Sequence, residues 1–124
     1  AAYGLPERSV AFAVALNALP DSTLVRPTTV GTMPAAVQDV ALIVDATVSA
    51  ADIEVALREG AGELLESITL FDRYDKIGDG KISLAFTLVF RAADRTLTGE
   101  EVSAMREAAT AVAATKFGAV VRTA

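Results

Sequence analysis

Between residues 8 and 19 the bulky side chains Val10, Phe12, Val14 and Leu16 alternate with alanines. A period of two predicts a strand with one bulky and one small face. Pro20, Pro27 and Pro34 then punctuate a Thr-rich stretch with no period, which predicts an extended, semi-rigid linker. Regular signals follow from Ala36. Residues 37–44 predict a strand with Val40, Leu42 and Val44 on one face and Asp39, Ala41 and Ile43 on the other. Ser49 with Asp52 three residues later resembles a capping box. The helix it opens carries Ile53, Ala56, Leu57, Ala61 and Leu64 at helical spacing, and Gly60 and Gly62 weaken its end. Residues 67–74, rich in Ile, Thr, Phe and Tyr, predict a strand. Ile77-Gly-Asp-Gly80 is turn chemistry. Residues 83–90 give the clearest strand, with Leu84, Phe86, Leu88 and Phe90 on one face and Ser83, Ala85, Thr87 and Val89 on the other. Thr98 and Glu101 form a full capping box, and the helix runs through Val102, Met105, Ala109, Val112 and Ala113. Phe117 packs behind it, Gly118 fits a helix stop, and residues 119–122 predict a closing strand.

The order β-α-β-β-α-β predicts an α+β, ferredoxin-like split βαβ fold: a four-stranded antiparallel sheet with two helices on one face. The expected division is a preceding strand plus linker over residues 1–34 and the ferredoxin-like domain over residues 35–124. The helices must cover the Val40, Leu42, Leu84, Phe86 and Leu88 face. That leaves Asp39, Ala41, Ser83, Ala85 and Thr87 on an open face whose small side chains admit a flat partner. RNA-recognition folds on a similar sheet use such a face for stacking bases.

The 124 residues are 52% hydrophobic and 22% charged, a composition that folds and buries a core. No apolar run approaches the ~20 residues of a membrane span, and the start lacks the pattern of a signal peptide. The chain contains neither Cys nor His. Disulfides, most nucleophilic triads and most zinc sites are thereby excluded, and a reducing cytoplasm is the default location. The first residue is Ala; processing, or excision from a longer protein, accounts for it equally well.

Candidate chemistry is sparse. Residues 75–86 look partly like a calcium loop, but the third position is Ile77 and the twelfth Phe86, so a hairpin turn fits better. Asp72 and Asp75 have no nucleophile or metal-ligand cluster beside them in sequence. Phe71 and Tyr74 read as stacking groups or as ordinary strand aromatics. Lys81, Arg91 and Arg95 read as phosphate contacts or as solvated surface charge. The net charge is −5, yet it is unevenly spread. Residues 36–66 hold seven acids against Arg58 alone, whereas residues 67–97 hold five cations against four acids.

Four segments in order carry a resemblance: Met33-Pro-Ala-Ala-Val-Gln-Asp-Val-Ala-Leu-Ile-Val44, Gly62-Glu-Leu-Leu-Glu-Ser-Ile-Thr-Leu-Phe-Asp-Arg-Tyr74, Lys81-Ile-Ser-Leu-Ala-Phe86 and Asp94-Arg-Thr-Leu-Thr98. Together they resemble the C-terminal ferredoxin-fold anticodon-binding domain of the bacterial phenylalanyl-tRNA synthetase beta subunit. Residues 1–20 are similar to the end of the module that precedes it. The resemblance implies a parent α2β2 ligase using ATP and magnesium, with its active site on the alpha subunit. It also implies that this domain is non-catalytic by itself and grips the anticodon stem-loop of tRNA(Phe). Asp72, Tyr74 and Ser83 are then the contacts to the first anticodon base, and the strand reading places all three on the open face. No cofactor is expected in this chain. The competing expectation is a ligand-sensing or subunit-assembly domain on the same fold.

Overall fold

The computed structural model describes residues 3–27 and 30–123. Strand β1 (Ala36–Asp45), helix α1 (Ala50–Ala61), strands β2 (Leu65–Gly78) and β3 (Lys81–Phe90), helix α2 (Gly99–Phe117) and strand β4 (Val120–Val121) follow in the expected order. The sheet order is β2-β3-β1-β4, antiparallel throughout.

Each boundary has a local cause. The Ser49 hydroxyl accepts from the Asp52 N–H at 3.1 Å and starts α1, which stops at Gly62 with φ +80°. Leu64, expected inside this helix, therefore lies beyond it and is half-buried. At α2 the Thr98 hydroxyl accepts from the Glu101 N–H at 3.2 Å, and the Glu101 carboxylate accepts from the Thr98 N–H at 2.9 Å. Gly118, in the left-handed region, ends that helix. The β2–β3 hairpin turns on Asp79 and Gly80 at φ +53° and +67°. An Asp-Gly pair with both residues left-handed matches the twist of the strands it joins.

One core joins the layers. Val40, Leu42 and Val44 of β1 and Leu84, Phe86, Leu88 and Phe90 of β3 pack with Ile53, Ala56 and Leu57 of α1 and Val102, Ala109 and Ala113 of α2. The helices approach closely at Gly60, where a Cβ would stand 2.5 Å from the Ala108 carbonyl oxygen. Gly60, next to the last residue of α1, is thus also a packing residue.

The strand expected over residues 8–19 does not form. Among the described residues before β1 there is only a 3₁₀ turn, Leu16–Ala18, and Phe12 is 90% exposed. The alternation is present but no neighbouring strand pairs with it, and an unpaired strand leaves its backbone ladder unsatisfied.

Candidate nucleic-acid interface

The face of the sheet opposite the helices is built in rows, each set by strand register. Asp39 faces Thr87, which faces Thr69; Ala41 faces Ala85, which faces Asp72; Ile43 faces Ser83, which faces Tyr74. Directly opposed residues in an antiparallel pair point to the same side. Asp72, Tyr74 and Ser83 therefore share the open face, in two rows around Ala85.

The placement of Asp72 and Tyr74 depends on a bulge. Ile68 and Leu70 pair with the core residues Leu88 and Phe86, and simple alternation would turn Asp72 and Tyr74 inward with them. The register jumps from Leu70↔Phe86 to Asp72↔Ala85, so Phe71 and Asp72 together oppose one residue. The extra residue reverses the parity of β2 and brings Asp72 and Tyr74 out. Phe71, at the bulge, is left 57% exposed.

The site has a floor, a platform and an acceptor. Ala41 and Ala85 form the low floor. Ser83, only 4% exposed, is recessed between Ile43 and Tyr74. Tyr74 stands above it, 44% exposed, and Asp72 is exposed at the sheet's edge. The Thr87 hydroxyl donates to Asp39 Oδ1 at 2.7 Å and fixes the next row.

Arg122 completes the face from the other edge. Its N–H donates to the Ala41 carbonyl at 2.8 Å, which aligns it with the Ala41–Ala85–Asp72 row. Three strand intervals, roughly 14 Å, separate that backbone from β2. The side chain crosses the alanine floor, and its guanidinium carbon lies 5.9 Å from the Tyr74 ring centroid, within cation–π range. Sequence reading missed Arg122. The signal was its place at the end of the closing strand, which the topology sets beside β1.

The cations named from sequence divide. Lys81 stays on the open face beyond Ser83, where its ammonium donates to Asp45 at 2.6 Å. Arg91 lies eight residues along from Ser83, on the order of 26 Å away. It ion-pairs with Glu66 at 3.1 Å and donates to the Met33 carbonyl, tying the linker to the sheet. Arg95 pairs with Glu101 at 2.7 Å at the start of α2. The Arg95 hydrogen bond, followed by the Thr98 N–H, holds the Glu101 carboxyl down at about 2, and the same bond raises Arg95. The structure does not bring Arg91 or Arg95 to Asp72, Tyr74 and Ser83.

No helix among the described residues is long and apolar enough to cross a membrane. The pattern of the ferredoxin-fold anticodon binding domain matches residues 31–122. The chain is 56% identical over 123 residues to a phenylalanine–tRNA ligase beta subunit of Streptomyces avermitilis, covering 96% of this chain and 15% of that protein. It is 51% identical over 124 residues to that of Thermobifida fusca, covering 98% of this chain and 15% of the relative. With that of Mycobacterium leprae it shares 45% over 122 residues, covering 97% of this chain and 15% of the relative. The chain thus spans about 15% of the length of these curated relatives.

Proposed function

The chain belongs to the ferredoxin-fold anticodon binding family, and from this premise we propose that its open sheet face grips the anticodon stem-loop of tRNA(Phe). The observation that carries the reading is the grouping of Asp72, Tyr74 and Ser83 around the Ala41–Ala85 floor. A flat base set on that floor meets the Tyr74 ring as a stacking platform. The Asp72 carboxylate accepts from the Watson–Crick donors of guanine, and the Ser83 hydroxyl bonds to base or sugar. Of Lys81, Arg91 and Arg95, Lys81, although paired with Asp45, is the closest in register to this group. Arg91 and Arg95 serve the linker and the helix cap instead.

In the parent beta subunit this module positions tRNA for aminoacylation on an alpha subunit in an α2β2 assembly in the cytoplasm. ATP and magnesium supply activation and phosphate-charge neutralisation there. Among the described residues no three His, Cys, Asp or Glu side chains gather as a metal site, and none is assigned to those ligands. In the parent subunit residues 1–34 end a preceding module and link it to this one, and residues 8–19 become a strand only where that module supplies a neighbour to pair with. The alternating, exposed Val10, Phe12, Val14 and Leu16 supply the bulky face such a strand would bury.

Fluorescence anisotropy with an RNA stem-loop bearing the tRNA(Phe) anticodon tests the reading. Base–aromatic stacking is worth about 1–3 kcal/mol, so Tyr74→Ala lowers affinity roughly five- to hundredfold. Equal affinity for the substituted and unsubstituted chains would overturn the stacking role.

A further inference from the structure

Nine lysines and arginines lie between residues 36 and 123. Among the described residues, Arg58, Arg73, Lys81, Arg91, Arg95 and Lys116 are in ion pairs. Of the other three, Lys76 is on the β2–β3 hairpin, whereas Arg106 and Arg122 line a single cleft.

That cleft follows from the shortness of β4. The strand pairs with β1 only at Leu42 and Ile43, with one further bond from the Arg122 N–H to Ala41. The part of β1 before Ala41 consequently has no neighbour on this side among the described residues. The gap is a cavity of about 300 Å³, with Arg106 and Glu107 of α2 on one wall and Asp39 and Ala41 of β1 on the other. Asp39, Ala41 and Arg122 also belong to the open face. The cleft is therefore where that face turns around the sheet edge toward α2.

Its lining sets the Arg106 guanidinium beside the carboxylates of Asp39 and Glu107, while Arg122 lines the cleft but carries its guanidinium toward Tyr74. A bare anion would meet repulsion as well as attraction there. A group carrying both anionic oxygens and an O–H donor would satisfy both sets. We propose that this cleft holds one ribose–phosphate unit of the RNA strand whose base lies on the open face. Arg106 takes the phosphodiester, and Asp39 or Glu107 accepts from the 2′-hydroxyl. Thr87 bonds Oδ1 of Asp39 and leaves Oδ2 for another donor. The 2′-hydroxyl is the group that separates RNA from DNA at such a site. The proposal rests on reading the open face as an RNA site.

The test measures stem-loop binding to the full 124-residue chain over a series of salt concentrations. Arg106→Ala keeps a strong helix former at a helical position, and its unfolding midpoint serves as the control for folding. Affinity should fall roughly three- to tenfold, equally for every base at the first anticodon position. The slope of log affinity against log salt should flatten by about 0.7, one phosphate contact to a single strand, and Arg106→Lys should restore it. A stem-loop with 2′-deoxyribose through its loop should bind the unsubstituted chain more weakly, and Asp39→Ala should shrink that difference. An unchanged affinity and slope in Arg106→Ala overturns the cleft while leaving the base reading intact. No penalty for the deoxy loop overturns the hydroxyl contact. Failure of the unsubstituted chain to bind any stem-loop overturns the reading of the open face itself.

Discussion

Asp72 is exposed, and no side-chain hydrogen bond holds it among the described residues, although it lies in a paired strand opposite Ala85. A carboxylate in that position contributes little to packing. Asp72→Ala should leave the thermal midpoint nearly unchanged, as surface substitutions do. The same substitution should reduce the preference for guanine at the first anticodon position, measured against stem-loops carrying each other base there. Equal losses for all bases would show that Asp72 does not read the base. The identity of these residues was legible in sequence through the run Leu70-Phe-Asp-Arg-Tyr74, and their place on the open face was expected, but the register shift that puts them there was not. Alternation groups Asp72 and Tyr74 with Leu70, and only the bulge at Phe71 reverses them. A bulge adds one residue to one strand without leaving a composition signal. Arg122 escaped notice for a related reason: its partner, Tyr74, lies across the sheet on another edge.

The elements themselves were more readable, because their ends are written in local chemistry. The Thr98–Glu101 box, the Gly118 stop and the Gly-Asp-Gly turn each appear where sequence placed them. Glu101 adds a pH dependence. Its carboxyl titrates at about 2 in the folded chain against an ordinary value of 4.5, so the folded state binds this proton less readily than the unfolded one. The stabilisation is complete above about pH 4.5 and is lost as the pH falls toward 2. Glu101→Gln should flatten the acid-side fall of the urea midpoint across that window; an unaltered profile would remove Glu101 from the account. Between helices the decisive contact is one that sequence alone did not show. A Cβ on Gly60 would meet the Ala108 carbonyl oxygen at 2.5 Å and the Ala109 Cα at 2.6 Å, both backbone atoms that cannot rotate away. Gly60→Ala should therefore destabilise by about 1–3 kcal/mol in chemical denaturation, against the roughly 1 kcal/mol that Ala gains in helix propensity. A net gain in stability would mean that α1 and α2 part easily.

Across the whole molecule, the fold keeps the acids of α1 away from its proposed binding face. Helix α1 carries Glu54 and Glu59, which pair with Arg58 and Lys116 on the helical layer, while the sheet's other face presents Tyr74, Arg122 and the alanine floor. A chain of net charge −5 can in this way still offer RNA a face that is not uniformly acidic. Topology was legible from the order of elements, since a β-α-β-β-α-β run with these apolar faces has few compact solutions. The segment before β1 was misread because its alternation describes a strand, whereas no neighbouring strand among the described residues pairs with it. The central claim is that RNA meets the sheet's open face. It is tested most directly by titrating the isotope-labelled chain with the anticodon stem-loop and following backbone amide shifts. The account predicts the largest changes at Asp72 to Tyr74, Ser83 to Ala85 and Ala41, with α1 unmoved. Changes centred on α1 and the outer face of α2, with β2 and β3 silent, would contradict it.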